Sequence, residues 1–181
     1  MIDAARFEAF VREYQDMVFA TAVRLLGRPA DAEDIAQTVF LKAFQRFDEV
    51  GSSPAAAGWL KTVATNLCLN HLSRYGSRWR LFSELGRTGE GRESVGFEAS
   101  LASNTSHGAD LERADDQAQV ERALRALPDH QRVPLVLFHF EDKSYQEIAD
   151  VLHRSLAKIK TDIHRGREAL RSQLEARHGS R

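Results

Sequence analysis

Two sets of side chains in this 181-residue chain have types and spacings suited to handling nucleic acid. In the first, Thr62, Asn66, Asn70 and Ser73 recur at helical spacing, and Arg74, Arg78 and Arg80 trail behind them. Asparagine is a poor helix former, and nothing local asks for two of them four residues apart. That spacing puts both amides on one side of a helix, where they either read base edges or merely meet water. The second set is Lys158, Lys160, Thr161, His164, Arg165 and Arg167, on the outer side of a helix whose inner stripe is Leu156, Ile159, Ile163 and Leu170. Lys and Arg so placed can bond guanine edges or phosphates. The bland alternative is a helical hairpin whose charges only solvate it.

Other chemistry finds little support. His71 stands alone, His130 and His139 flank an apolar run, and His153 and His164 lie eleven residues apart, so no histidine pair on one helix face suggests a metal site. The single cysteine, Cys68, excludes an internal disulfide and a multi-thiolate zinc centre, and its apolar neighbourhood suits a packed thiol. There is no glycine-rich phosphate loop, no Gly-x-Ser-x-Gly elbow and no Cys/His nucleophile arrangement. The expectation is a protein without enzymatic activity, metal or cofactor.

The elements that must position these residues read as helices throughout. Phe7, Phe10, Val11, Tyr14, Met17, Val18, Leu25 and Leu26 carry a three-and-four rhythm from about Asp3, and Gly27 before Arg28-Pro29 is a plausible stop. A second helix is expected from Asp31 as N-cap, burying Ile35, Val39, Phe40, Ala43, Phe44 and Phe47 and leaving Gln37, Thr38, Leu41, Lys42 and Gln45 largely outside. "DEVGSSPAAAG" reads as a loop, and a third helix runs from about Trp59 to Arg74. Residues 83–114, rich in Gly and Ser, lack the apolar surface to offset their ordering entropy and read as a flexible linker. Helical rhythm returns from about Asp115. Pro128-Asp129 is a turn, and "HQRVPLVLFHF" a short apolar helix with Pro134 near its first turn. Ser144–Leu174 then reads as two helices around the turn His153-Arg154, with Ser155 the N-cap of the second. A short helix, a turn and a longer helix with a basic outer face is the helix-turn-helix layout. The fold expected is all-α: two small helical domains joined by a flexible linker, the C-terminal one a helix-turn-helix.

Charge is divided along the chain. Residues 1–80 hold 10 Lys/Arg against 9 Asp/Glu, residues 81–118 hold 3 against 8, and residues 119–181 hold 12 against 9. The net charge of −1 thus averages two nucleic-acid-facing ends and an acidic connector. No apolar run of about 18 residues offers a membrane span. The acids in "MIDAARFEAFVREYQ" suit neither a signal peptide nor export, so a cytoplasmic protein is expected.

In order, these segments resemble the bacterial RNA polymerase sigma factors of the extracytoplasmic-function class, within the sigma-70 family. The resemblance covers roughly residues 7–80 and 114–174. "DAEDIAQTVFLKAFQRF" resembles the helix that docks on the β′ clamp, and "GWLKTVATNLCLNHLSR" the helix that melts and reads the minus-ten element. "ALRALPDHQRVPLVLFHFEDKSYQEIADVL" and the helix after it resemble the domain that binds the minus-thirty-five element. The resemblance implies a region 2 domain over 1–82, an acidic linker over 83–114 and a region 4 domain over 115–181. It implies core RNA polymerase, through its β′ clamp and β subunits, and promoter DNA as partners, with an anti-sigma factor as a further candidate and no membrane insertion.

Residue by residue, it assigns polymerase binding to Asp34, Gln37, Leu41 and Lys42. It assigns minus-ten contacts to Asn66, Asn70, Thr62, Arg74, Arg78 and Arg80, with Trp59 as core support and base stacking as its lesser alternative. Minus-thirty-five contacts fall to Ser155, Lys158, Lys160, Thr161, His164, Arg165 and Arg167. Four positions depart from the family pattern. Thr38 and Asn70 stand where acids are frequent. Asp162 replaces the usual Arg, so it repels phosphate or is paired with a neighbouring Arg. His153 occupies the place of the turn glycine, so it takes positive φ at some strain or the turn differs. The rival functions are a stand-alone helix-turn-helix regulator, and a sigma mimic that binds an anti-sigma factor.

Overall fold

A computed structural model of the chain describes residues 3–85 and 109–178, with side chains over 3–75 and 114–176. Every regular element among the described residues is a helix. They fall in two units, Met1–Glu93 and Ser94–Arg181.

The first unit holds α1 (Ala4–Leu26), α2 (Pro29–Gln45), α3 (Phe47–Val50) and α4 (Ala56–Leu85). Asp3 caps α1 by accepting the Ala5 N–H at 3.0 Å. Gly27 ends it in the left-handed region, at φ 71°, and donates its N–H to the Val23 carbonyl at 2.8 Å. The chain re-enters helix at once, because Pro29 has its φ preset for the first helical position. The expected cap at Asp31 is therefore corrected. Arg28 is the N-cap residue and makes no side-chain cap bond, while Asp31 sits inside the first turn. There its carboxylate lies 3.7 Å from Arg28 Nη1 and 3.6 Å from His71 Nε2.

The core of this unit is where α1, α2 and α4 meet. Val18, Ala22 and Leu25 of α1, Ala32, Val39 and Ala43 of α2, and Leu60, Ala64 and Cys68 of α4 have no exposed surface. Small residues on α2 and α4 let the helices approach closely around the larger Leu25 and Leu60. Truncating either leucine to alanine costs about 2–5 kcal/mol at such sites. Phe47 is buried as expected, but it opens α3, a short helix that takes up the first residues of the stretch read as a loop. Phe44 departs from expectation: it is 44% exposed, because the inner face of α2 is already filled by Ile35, Val39 and Ala43. α4 also runs past its expected end, through Gly76, to Leu85. One helical glycine costs only about 1 kcal/mol against alanine, too little to stop a helix whose neighbours favour it.

The second unit holds α5 (Ala109–Ala126), α6 (Asp129–His139), α7 (Tyr145–Leu152) and α8 (Leu156–His178). Helix thus occupies both ends of the expected linker, whose interior, 86–108, lies outside the described residues. α8 packs against each of the other three helices, and α6 is buried continuously from Arg132 to Leu137. Pro134 stands in its second turn, deeper than expected; the carbonyl it leaves unpaired belongs to His130, an exposed residue. α8 lies so close to α6 that a Cβ on Gly166 would sit 3.3 Å from the Gln131 carbonyl oxygen.

Candidate nucleic-acid interfaces

On α4, Thr62, Asn66, Asn70 and Arg74 are all exposed on the side away from Leu60, Ala64 and Cys68. The Thr62 hydroxyl donates back to the Gly58 carbonyl at 2.9 Å. Neither the Asn66 nor the Asn70 amide has a hydrogen-bond partner among the described residues. Two amides without a structural task, one helical turn apart, leave donors and acceptors facing outward. Trp59, at the N-terminal end of the same helix, is half-buried. Arg78 and Arg80 continue α4, but their side chains lie outside the described residues.

On α2, Asp34, Gln37, Leu41 and Lys42 form an exposed strip, with Leu41 64% exposed. The Thr38 hydroxyl is turned back to the Asp34 carbonyl at 2.9 Å. Beside this strip runs a groove of about 860 Å³ between α1 and α2. Phe7, Val11 and Phe19 line one wall, and Phe40, Leu41 and Phe44 the other. Phe7 anchors it from within through edge-to-face contacts with Phe44 at 5.0 Å and Phe47 at 5.2 Å. Sequence reading missed this groove. The signal was present: apolar residues at 35, 39, 40, 41, 43 and 44 exceed what a single inward stripe can hold.

In the second unit the helix-turn-helix is tied at both ends of α7. Ser144 accepts the Glu147 N–H at 3.2 Å, and the Glu147 carboxylate accepts the Ser144 N–H at 2.8 Å. This capping box is spelled Ser-x-x-Glu in the sequence and was overlooked there. The hydrogen bonds from the Ser144 backbone and hydroxyl hold the Glu147 carboxyl below its ordinary value of 4.5, with Lys143 helping. At the other end His153 takes φ 51°, ψ 47°, which settles the first of the two alternatives for that residue. The Arg154 N–H reaches the Ala149 carbonyl at 3.0 Å and the His153 N–H that of Asp150 at 3.4 Å, the pattern of a Schellman turn usually built on glycine. Ser155 then caps α8, accepting the Lys158 N–H at 3.2 Å.

The outer face of α8 divides. Lys160, His164 and Arg165 are exposed, and their side chains are unpartnered among the described residues. Thr161 is exposed too, its hydroxyl donating to the Ala157 carbonyl at 3.0 Å. Two expected members are engaged elsewhere. Lys158 forms an ion pair with Asp162. Arg167 donates from Nε to His139 Nε2 at 3.1 Å and lies over the Phe138 ring at 5.3 Å. Burial, and then the Arg167 cation, push the His139 imidazole below its ordinary 6.5, which keeps that nitrogen free to accept. Asp162 itself is fully buried. It is paired with Arg154 as well as Lys158, so of the two readings of this departure the paired one holds.

Comparison with known proteins places both units. Residues 10–78 match the family model described as Sigma-70 region 2, and residues 117–170 that described as Sigma-70, region 4. The ECF RNA polymerase sigma factor SigW of Bacillus subtilis (strain 168) is 30% identical over 173 residues, covering 95% of this chain and 90% of that protein. The ECF RNA polymerase sigma factor SigE of Mycolicibacterium smegmatis is 33% identical over 174 residues, 96% of this chain and 63% of that protein. Among solved structures, the sigma factor RpoE in complex with the anti-sigma factor NepR, from Bartonella quintana, aligns with a TM-score of 0.50 at 24% identity. That alignment covers 93% of this chain and 96% of that one, and is a likeness of fold.

Proposed function

The chain belongs to the extracytoplasmic-function class of sigma-70 factors, and from that membership we propose how its surfaces share the work. As a sigma factor it directs core RNA polymerase to promoters, and its partners are that polymerase and promoter DNA. The domains are a region 2 domain to about residue 82, a linker, and a region 4 domain from about residue 115.

In the first unit, Asn66 reads a base extruded from the melted minus-ten strand, with Asn70 and Thr62 beside it and Arg74, Arg78 and Arg80 on phosphates. Unstacking a base costs a few kcal/mol, which hydrogen bonds and stacking in the site must offset. Asp34, Gln37, Leu41 and Lys42 dock on the polymerase clamp. In the second unit, α8 enters the major groove of the minus-thirty-five element with Lys160, Thr161, His164 and Arg165 forward and Ser155 at the groove edge. The observation that carries this reading is the pair of outward polar rows without partners among the described residues, Asn66/Asn70 on α4 and Lys160/His164/Arg165 on α8, one in each matched region.

The chain does no chemistry of its own; it lowers barriers by differential binding while the polymerase makes RNA. It works in the bacterial cytoplasm, and no helix among the described residues is long and apolar enough to cross a membrane. An anti-sigma factor that occludes the two domains is a further partner, following the resemblance to the class. A pull-down of native protein that recovers polymerase and never a second regulator would remove that partner. The central test is run-off transcription with purified core polymerase. Promoter-dependent transcripts are expected with this chain added; duplex binding without any such transcript would favour the stand-alone regulator.

A further inference from the structure

An acid with no exposed surface stands in the second turn of α8, beneath a face otherwise rich in cations. Asp162 Oδ1 pairs with the Lys158 ammonium one turn earlier, and Oδ2 lies 3.5 Å from Arg154 Nη1 on the turn. Oδ2 has no hydrogen bond among the described residues, so Arg154 serves it through charge alone. On an isolated helix, a cation placed four residues before an acid is the weaker order of the two. Helix preference therefore does not explain the pair. Burial does: a carboxylate taken out of water must keep its counter-charges, so both cations are held where the acid is.

Of the basic residues from Arg154 to Arg171, Asp162 engages two, His139 engages Arg167, and Glu168 lies 3.7 Å from Arg171. Lys160 and Arg165 remain. We infer that Asp162 is a positioning residue that withholds Arg154 and Lys158 from the DNA backbone. It thereby narrows the phosphate footprint of α8 and leaves a larger share of its affinity to contacts with base edges. Phosphate contacts carry affinity without sequence information, so a smaller footprint favours promoter over random DNA. The inference rests on the reading that α8 faces DNA.

The test is the salt dependence of binding to a random-sequence duplex, measured by fluorescence anisotropy with the full chain between 50 and 200 mM salt. Asp162→Asn should steepen the slope of log K against log salt by about 0.9 per released cation, an extra loss of about 3.5-fold across that range for one and about 12-fold for two. Adding Lys158→Gln to Asp162→Asn should return about 0.9 of it. Glu175→Gln, an equal change of charge at an exposed position further along α8, should leave the slope unchanged. Equal steepening by Glu175→Gln, or none by Asp162→Asn while Lys160→Ala still flattens the slope, would overturn the inference and spare α8 as the DNA helix. No effect of Lys160→Ala would remove both. Should Asp162→Asn fail to fold by circular dichroism, Arg154→Gln in the unaltered chain decides: an unchanged slope supports the inference, and a slope flatter by about 0.9 overturns it.

Discussion

Replacing Asn66 by alanine should move stability and function in opposite directions. The side chain is exposed on α4 and has no hydrogen-bond partner among the described residues, so its removal breaks nothing inside the unit. Alanine exceeds asparagine as a helix former by roughly 0.5 kcal/mol, so the first unit should become slightly more stable. If the amide bonds an extruded base, its loss removes about 1–3 kcal/mol from the melted complex, or roughly 5- to 160-fold in its formation. Binding of the still-paired promoter should change far less, because a base inside the stack does not reach the amide. The assay is reconstituted holoenzyme on a promoter located by transcript-start mapping. Closed-complex affinity is read at low temperature, and opening from a fluorescent base analogue in the minus-ten strand. A loss shared equally by the two steps would refute a base pocket at Asn66. So would a fall in unfolding midpoint, which would mean the amide has a structural partner after all.

Leu41→Glu should leave stability within about 0.5 kcal/mol, since Leu41 is 64% exposed. It should weaken binding to core polymerase by about tenfold or more, or about 1.4 kcal/mol; unchanged affinity in a competition assay would take Leu41 off the docking surface. The Glu147 carboxyl sits below 4.5 in the folded state, so its contribution is complete above pH 4.5 and is lost as pH falls through the folded value. Urea midpoints followed from pH 6 downward should therefore decline more gently in Glu147→Gln than in the unaltered chain, and parallel curves would count against the capping box. Gly166→Val should cost about 1–3 kcal/mol, because even the first added carbon meets the Gln131 carbonyl at 3.3 Å. An unchanged midpoint would mean that α6 and α8 do not approach so closely.

What the sequence disclosed followed from physics confined to a few neighbouring residues. Gly27 as stop, Ser155 as cap and the inward stripe of Ile159 and Ile163 are each settled within a turn or two of helix. Where two local signals competed, reading failed: Asp31 looked like a cap until Pro29 took the first helical position. α4 runs past Arg74 through Gly76, because the small cost of one helical glycine does not stop it. The remaining differences depend on contacts that spacing cannot supply. Arg167 faces the charged side by sequence, yet it meets His139, 28 residues earlier, across the α6–α8 packing. Asp162 and Lys158 advertise a pairing at four-residue spacing, but that Asp162 is buried is a property of the assembled unit. Phe44 was counted as core because the sequence does not say that three smaller residues already fill the inner face of α2.

The outward rows on α4 and α8 have a bearing on heredity as well as on mechanism. Because Asn66, Asn70, Lys160, His164 and Arg165 make no bonds within the protein among the described residues, exchanging them disturbs folding little. If these rows meet DNA as proposed, a duplicated copy of such a chain can reach new promoters one residue at a time, each intermediate still folded. Asp162 follows the opposite rule. Its replacement leaves Lys158 and Arg154 without their shared acid, so one exchange there alters two cations at once.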